Sequence, residues 1–165
     1  MTVEKKSPCK VNLLLNVLGR RPDGFHQLET VLQPVALHDI LQFERTGTDL
    51  RLTCSDSSLP VDARNLVWKA ADAFRQAAGV SDGVRIHLEK KLPLAAGLGG
   101  GSGNAATTLL AFNELFGHPL GPEALHAIAA GLGSDIPFFL QDRPALATDR
   151  GDTVQSLPPF TALAG

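Results

Sequence analysis

One stretch limits the possible architectures of this chain more than any other. Val84, Ile86 and Leu88 alternate with Arg85, His87 and Glu89, the period of a half-buried strand over Gly83–Glu89. A loop follows, Pro93-Leu94-Ala95-Ala96-Gly97-Leu98-Gly99-Gly100-Gly101-Ser102-Gly103, and then an alanine-rich helix from about Asn104 to Phe116, stopped by Gly117. Five of the seven residues from Gly97 to Gly103 are glycine, a composition unsuited to a packed core. Glycine carries an entropic cost and is used where backbone must bend sharply or approach a ligand. The loop opens into a helix N-terminus, whose free N–H groups and positive dipole end suit an anion such as a polyphosphate. A flexible surface loop is the plainer alternative. The strand before the loop and the small Ala105 and Ala106 behind it favour the phosphate reading.

Two familiar phosphate loops fit less well. A P-loop ends in Gly-Lys-Ser/Thr, and this loop has no lysine. Gly101-Ser102-Gly103-Asn104-Ala105-Ala106 nearly meets the dinucleotide fingerprint. That fingerprint begins at the end of its strand, whereas here roughly ten residues intervene after Glu89. It also calls for an acidic residue on a second strand, where this sequence has a second helix. A dinucleotide-binding domain therefore stands as an alternative.

Before this unit, alternation predicts a strand at residues 11–18, a turn at Arg21-Pro22-Asp23-Gly24, and short strands at Leu28–Val35, Ile40–Glu44 and Leu50–Thr53. Asn65–Ala78 reads as a helix ending at Gly79, and Pro122 opens another that ends near Leu132-Gly133. Strands first, then helices with strands between them, predict an α+β fold, a mixed sheet with helices packed on one side. The expected division is a nucleotide-binding domain at 1–152 and the start of a further domain at 153–165, where the apolar Leu157–Ala164 has no closing signature.

Composition excludes some partners. The 165 residues are 44% hydrophobic, enough for one core, and the formal charge of −2 offers no footprint for nucleic acid. The basic doublets Lys5-Lys6, Arg20-Arg21 and Lys90-Lys91 read as solvated pairs. Cys9 and Cys54 make neither a ligand spacing nor a disulfide framework and suit a reducing cytoplasm. The start Met-Thr-Val-Glu-Lys-Lys is not a signal peptide, and no run is long enough to span a bilayer, so no membrane partner is expected.

Pro93-x-x-x-Gly97-Leu98-Gly99-Gly100-Gly101-Ser102 resembles the second motif of the galactokinase, homoserine kinase, mevalonate kinase and phosphomevalonate kinase (GHMP) superfamily. Ser7-Pro8-Cys9-Lys10-Val11-Asn12-Leu13 resembles its first motif. Arg21-Pro22-Asp23-Gly24-Phe25-His26-x-Leu28-x-Thr30 and Leu132-Gly133-Ser134-Asp135-Ile136-Pro137-Phe138-Phe139 resemble segments of one branch, the kinases of 4-diphosphocytidyl-2-C-methyl-D-erythritol. The motifs stand in order along nearly the whole chain. The resemblance implies a superfamily N-terminal domain (ribosomal protein S5 domain 2-like) with a left-handed β-α-β crossover, against the usual hand. It implies ATP and Mg²⁺ as cofactors and phosphorylation of the 2-hydroxyl of that cytidine-diphosphate-linked methylerythritol, in non-mevalonate isoprenoid (terpenoid) biosynthesis. It also implies a second domain forming the opposite wall of the cleft. Without that domain, the expectation is an inactive nucleotide-binding fragment, or self-association through the surface the domain would cover.

Residue roles follow from the same match. Asp135 corresponds to the catalytic aspartate, a general base; an aspartate after Gly-Ser is otherwise a helix cap. Lys10 corresponds to the catalytic lysine, where a solvated strand lysine is the plainer role. Pro93 through Gly103 would bind ATP, with Asn65 and Leu66 near adenine, although Asn65 also starts a helix. Asn12, Phe25 and His26 would hold the second substrate, the last two at cytosine. Ser102 would contact phosphate or Mg²⁺ and also suits a helix cap. Three positions depart from the pattern: Gly103, where serine is common, Phe25, where tyrosine is usual, and Asp149, where glycine is usual.

Overall fold

The structure is a computed structural model and describes residues 2–149, 151 and 153–160. Six strands form one mixed sheet among these residues. The long antiparallel pair β1 (Thr2–Arg20) and β2 (His26–Arg45) is its backbone. β2 pairs with β1 along one edge. Its other edge is shared between β5 (Ala145–Asp149), opposite Leu28–Leu32, and β4 (Val84–Glu89), opposite Ile40–Arg45. β3 (Leu50–Cys54) lies parallel to β4 and is joined to it through α1 (Leu66–Ala78). β6 (Thr153–Ser156) pairs antiparallel with β5. The division expected after residue 152 thus falls inside a hairpin, and Thr153–Ser156 continue the sheet of the first unit. Residues 161–165 of the expected second unit lie outside the described residues.

Burial is one-sided. Leu41, Phe43, Leu52, Val84, Ile86 and Leu88 point into the core, while Gln42, Glu44, Arg51 and Arg85 on the opposite face stay in water. α1, α2 (Gly100–Leu115) and α3 (Pro122–Leu132) supply the other half of the core. At its centre Phe112 meets Phe43 and Phe74 edge-to-face, with ring centroids 6.0 and 5.7 Å apart. Asn65 caps α1, its side chain accepting from the N–H of Val67, and Gly79 ends it at φ 65°.

Two sequence expectations change. The strands expected at 28–35 and 40–44 are one strand, because Ala36 and Leu37 form a bulge between the pairs Pro8↔His38 and Cys9↔Val35. β1 also begins at Thr2. Val3, Ser7 and Cys9 are buried there, although Glu4-Lys5-Lys6 hides the alternation.

Candidate active site

The glycine-rich segment is shorter as a loop than expected, because α2 begins at Gly100. Gly99, at φ 68°, turns the chain into the helix without a side-chain cap. The first helical hydrogen bond runs from the Gly103 N–H to the Gly99 carbonyl at 2.8 Å, so the N–H groups of Gly100, Gly101 and Ser102 precede the ladder and face the loop. A hollow of about 240 Å³, lined by Pro93–Ser102 with Leu66 and Lys90, lies at this end. It adjoins a cavity of about 200 Å³ lined by Leu59, Pro60, Asn65, Leu66 and Asn104, among others. Together they offer room for a polyphosphate beside a flat, largely apolar slot. α2 leads directly into α3, with no second parallel strand, so the dinucleotide-binding alternative does not fit.

β1 is tied to this loop. The Lys10 N–H donates to the Leu98 carbonyl at 2.9 Å, and the Lys10 side chain lies within 3.2 Å of where a Cβ on Gly99 would stand. The Lys10 side chain is only 8% exposed, so it is not a solvated strand lysine. Its ammonium donates to Asn12 Oδ1 at 2.6 Å, and Asn12 Nδ2 donates to Thr30 Oγ1 at 2.8 Å. Thr30 Oγ1 in turn donates to the Leu14 carbonyl. This chain fixes the ammonium 3.8 Å from Asp135 Oδ2. Asp135 sits in the turn between α3 and the 3₁₀ turn Pro137–Leu140, and no side chain caps that 3₁₀ turn. The aspartate carboxylate, 45% exposed, thus faces solvent beside a nearly buried cation. Gly151, between β5 and β6, lies near it: a Cβ there would stand about 3.8 Å from Asp135 Oδ1.

Other expected residues are placed less decisively. Phe25 and His26 are exposed at the tip of the β1–β2 hairpin. Asn65 lines the smaller cavity, yet both ends of its side chain are engaged, Oδ1 by Val67 and Nδ2 by the Pro60 carbonyl. Ser102 is half-buried in the first turn of α2. Cys9 is fully buried, and burial followed by the charge of Asp39 pushes its thiol above the ordinary range, as suits a small hydrophobe.

Asp39 is a functional candidate that no sequence motif marks, and Lys90 differs from the solvated doublet expected at Lys90-Lys91. Asp39 is fully buried and pairs with the Lys90 ammonium at 2.5 Å, so Lys90 is not a solvated residue although Lys91 is exposed. The one sequence signal is an aspartate set between Leu37 and Ile40 in a run of strand residues, which reads equally as a turn.

The family described as GHMP kinases N terminal domain matches residues 65–143. A 4-diphosphocytidyl-2-C-methyl-D-erythritol kinase from Protochlamydia amoebophila is 50% identical over 93% of this chain and 53% of its own length. One from Pelotomaculum thermopropionicum is 43% identical over 99% of this chain and 57% of its own. A crystal structure of 4-(cytidine 5'-diphospho)-2C-methyl-D-erythritol kinase superposes with a TM-score of 0.83 at 42% identity, covering 94% of this chain and 55% of that one. The chain is similar to GHMP kinases over residues 65–143 and to the two kinases above over 93% and 99% of its length. It spans about half the length of the curated relatives it matches.

Two of the departures from the GHMP pattern have local explanations. A Cβ on Gly103 would stand 2.4 Å from the Pro8 carbonyl, so α2 approaches β1 too closely for serine. Asp149 has φ 61°, the left-handed region that favours glycine. It is held there by accepting from Arg21 Nη1 at 3.2 Å and from Thr153 Oγ1 at 3.1 Å.

Proposed function

We propose that this chain is the nucleotide-binding half of a kinase that transfers the γ-phosphoryl group of ATP to the 2-hydroxyl of 4-diphosphocytidyl-2-C-methyl-D-erythritol. The observation that carries the reading is the convergence of Lys10 and Asp135 beside the uncapped start of α2. The relatives, kinases of 4-diphosphocytidyl-2-C-methyl-D-erythritol, supply the substrate. ATP would lay its phosphates against the N–H groups of Gly100, Gly101 and Ser102 and its base in the slot lined by Leu66 and Asn65. Asp135 takes the hydroxyl proton as the oxygen attacks Pγ, the bond from Pγ to the bridging oxygen breaks, and ADP leaves. Lys10 orients Asp135 through their ion pair and neutralises charge at the reacting oxygens. Phe25 and His26 would receive cytosine, the first by stacking and the second by hydrogen bonds, with Asn12 lining the same side.

Mg²⁺ would neutralise phosphate charge. No group of three or more His, Cys, Asp or Glu side chains is placed to hold a metal among the described residues. That donor set suits an ion carried by phosphates and water, with the Ser102 hydroxyl as a protein donor. The free thiols Cys9 and Cys54 favour the reducing cytoplasm as its compartment, and no helix among the described residues is long and apolar enough to cross a membrane.

A second reading, nucleotide binding without turnover by this half alone, draws on the exposure of Asp135, Phe25 and His26. ATP titration and turnover measured in parallel on this chain and on a full-length version separate the two. In the full-length version Asp135→Asn keeps the fold and ATP affinity but lowers turnover at saturating substrates by roughly a hundredfold or more. Near-normal turnover in a folded Asp135→Asn protein would overturn the mechanism.

A further inference from the structure

We infer that Asp39 is a positioning residue that holds the phosphate loop in its binding shape from beneath, without touching nucleotide. The inference rests on the kinase reading above only for its second measurement. Asp39 is fully buried and spends both oxygens on the loop's anchors. Oδ1 accepts from the N–H groups of Lys91 and Leu92, each at 2.8 Å, where β4 runs into the loop. Oδ2 accepts from Asn104 Nδ2 at 2.9 Å, on the second turn of α2, and from Lys90 Nζ at 2.5 Å. One carboxylate thereby fixes the strand end and the helix start between which the loop is strung. Lys90 completes the arrangement: its ammonium lies 3.5 Å from the virtual Cβ of Gly100, and it borders both the phosphate hollow and the base slot.

The arrangement exceeds what core stability needs. A buried ion pair is a poor source of net stability compared with apolar packing of the same volume, whereas losing one partner is costly. Here the pair directs its hydrogen bonds to two backbone segments that must keep a fixed separation. The Gly100, Gly101 and Ser102 N–H groups point at one anion only while the strand end and the helix start stay in register.

The test is Asp39→Asn in the full-length protein, read in two ways. Asparagine turns an NH₂ group toward the donors Lys90 Nζ and Asn104 Nδ2 and so breaks the clamp. The first readout is amide hydrogen exchange without nucleotide. The Lys10 and Gly103 amides bond to the carbonyls of Leu98 and Gly99 and not to Asp39, so they report the loop alone. Their exchange is expected to quicken roughly tenfold or more, the size of a lost charged hydrogen bond, while the β5 amides keep their rates. The second readout is the Michaelis constant for ATP, expected to rise by a similar factor while that for the alcohol substrate holds. Leu109→Ala, in the fully buried face of α2, serves as a destabilised control and should move neither.

Unchanged exchange at Lys10 and Gly103 overturns the inference, as does a parallel rise of both Michaelis constants or an equal effect from Leu109→Ala. Should Asp39→Asn not fold, Asn104→Ala cuts the link from Asp39 to α2, together with the longer 3.5 Å contact of Asn104 Nδ2 with Ser7 Oγ, and must still quicken the Gly103 amide; no change there overturns the inference equally. A wild-type protein that binds no ATP refutes the kinase reading instead, and the exchange measurement then decides this one alone.

Discussion

The β1–β2 hairpin is one continuous ladder whose two halves live in different surroundings. At its root, Val3 and Cys9 of β1 and Leu41 and Phe43 of β2 are buried, α2 packs against both strands, and β4 extends the pairing. Toward its tip, Leu13, Leu14, Leu15, Val17 and Leu18 are roughly half exposed, and no helix covers them among the described residues. Strand pairing runs through both halves, with register shifts between Pro8 and Cys9, Asn12 and Leu14, and Val17 and Gly19. The root is therefore held by apolar burial, and the tip by pairing alone plus a few side-chain ties. Lys10 and Asn12 stand at the join, where a rigid half meets an open one, and Asp135 approaches from the turn after α3. Under the proposed function a reacting group needs a fixed base and an accessible front, and the burial of Lys10 and the exposure of Asp135 fit that need.

The contrast makes its largest prediction for the root. Phe43→Ala should cost about 3–5 kcal/mol, since Phe43 is fully buried against Phe112, whereas Val17→Ala at the tip should stay within about 0.5 kcal/mol. Chemical denaturation of both variants checks this, and equal losses would break the distinction. Gly103→Ser probes the contact of α2 with β1 and should destabilise by about 1–3 kcal/mol, because the new side chain meets the Pro8 carbonyl. An unchanged midpoint would mean that the two elements part easily.

Smaller effects belong to the tip. Asp149→Gly exchanges backbone strain for the loss of the Arg21 and Thr153 contacts, so the net change should fall within about 1 kcal/mol while the turn Arg21–Gly24 loosens. Amide exchange in that turn is the measurement, and full protection would show that Arg21 is not needed to hold it. Last, Leu15→Ser with Val17→Ser should leave the melting temperature nearly unaltered yet lower apolar-dye binding and concentration-dependent association. Dye binding equal to that of the parent chain would place the sticky surface elsewhere.

Much of this was legible in the sequence. Period-two alternation located β3 and β4, and glycine, proline and asparagine punctuation located the three helices to within a few residues. Lys10 and Asp135 were legible through motif resemblance, and their meeting across 125 positions is a fact of topology that no local pattern carries. The bulge at Ala36 and Leu37 was missed because Pro34 and His38-Asp39 carry the same local signal as a turn. Lys90 was misread because a lysine doublet gives no hint that one ammonium turns inward to a carboxylate 51 positions away. The strands β5 and β6 escaped notice because each is short and lies on a sheet edge or beside one, where pairing rather than composition defines them.

The shared edge of β2 also sets an order of events during synthesis. β2 leaves the ribosome early, but the β5 residues that pair with Leu28–Leu32 are made more than a hundred residues later. At ordinary elongation speeds that is a wait of roughly 5 to 20 s. For that interval the apolar tip offers unpaired strand edges to whatever is nearby, at a stage when β4, α1 and α2 can already assemble on the root. Nascent-chain yield should therefore depend on what shields residues 11–32 during translation, and chaperone capture should map to the tip rather than to the core.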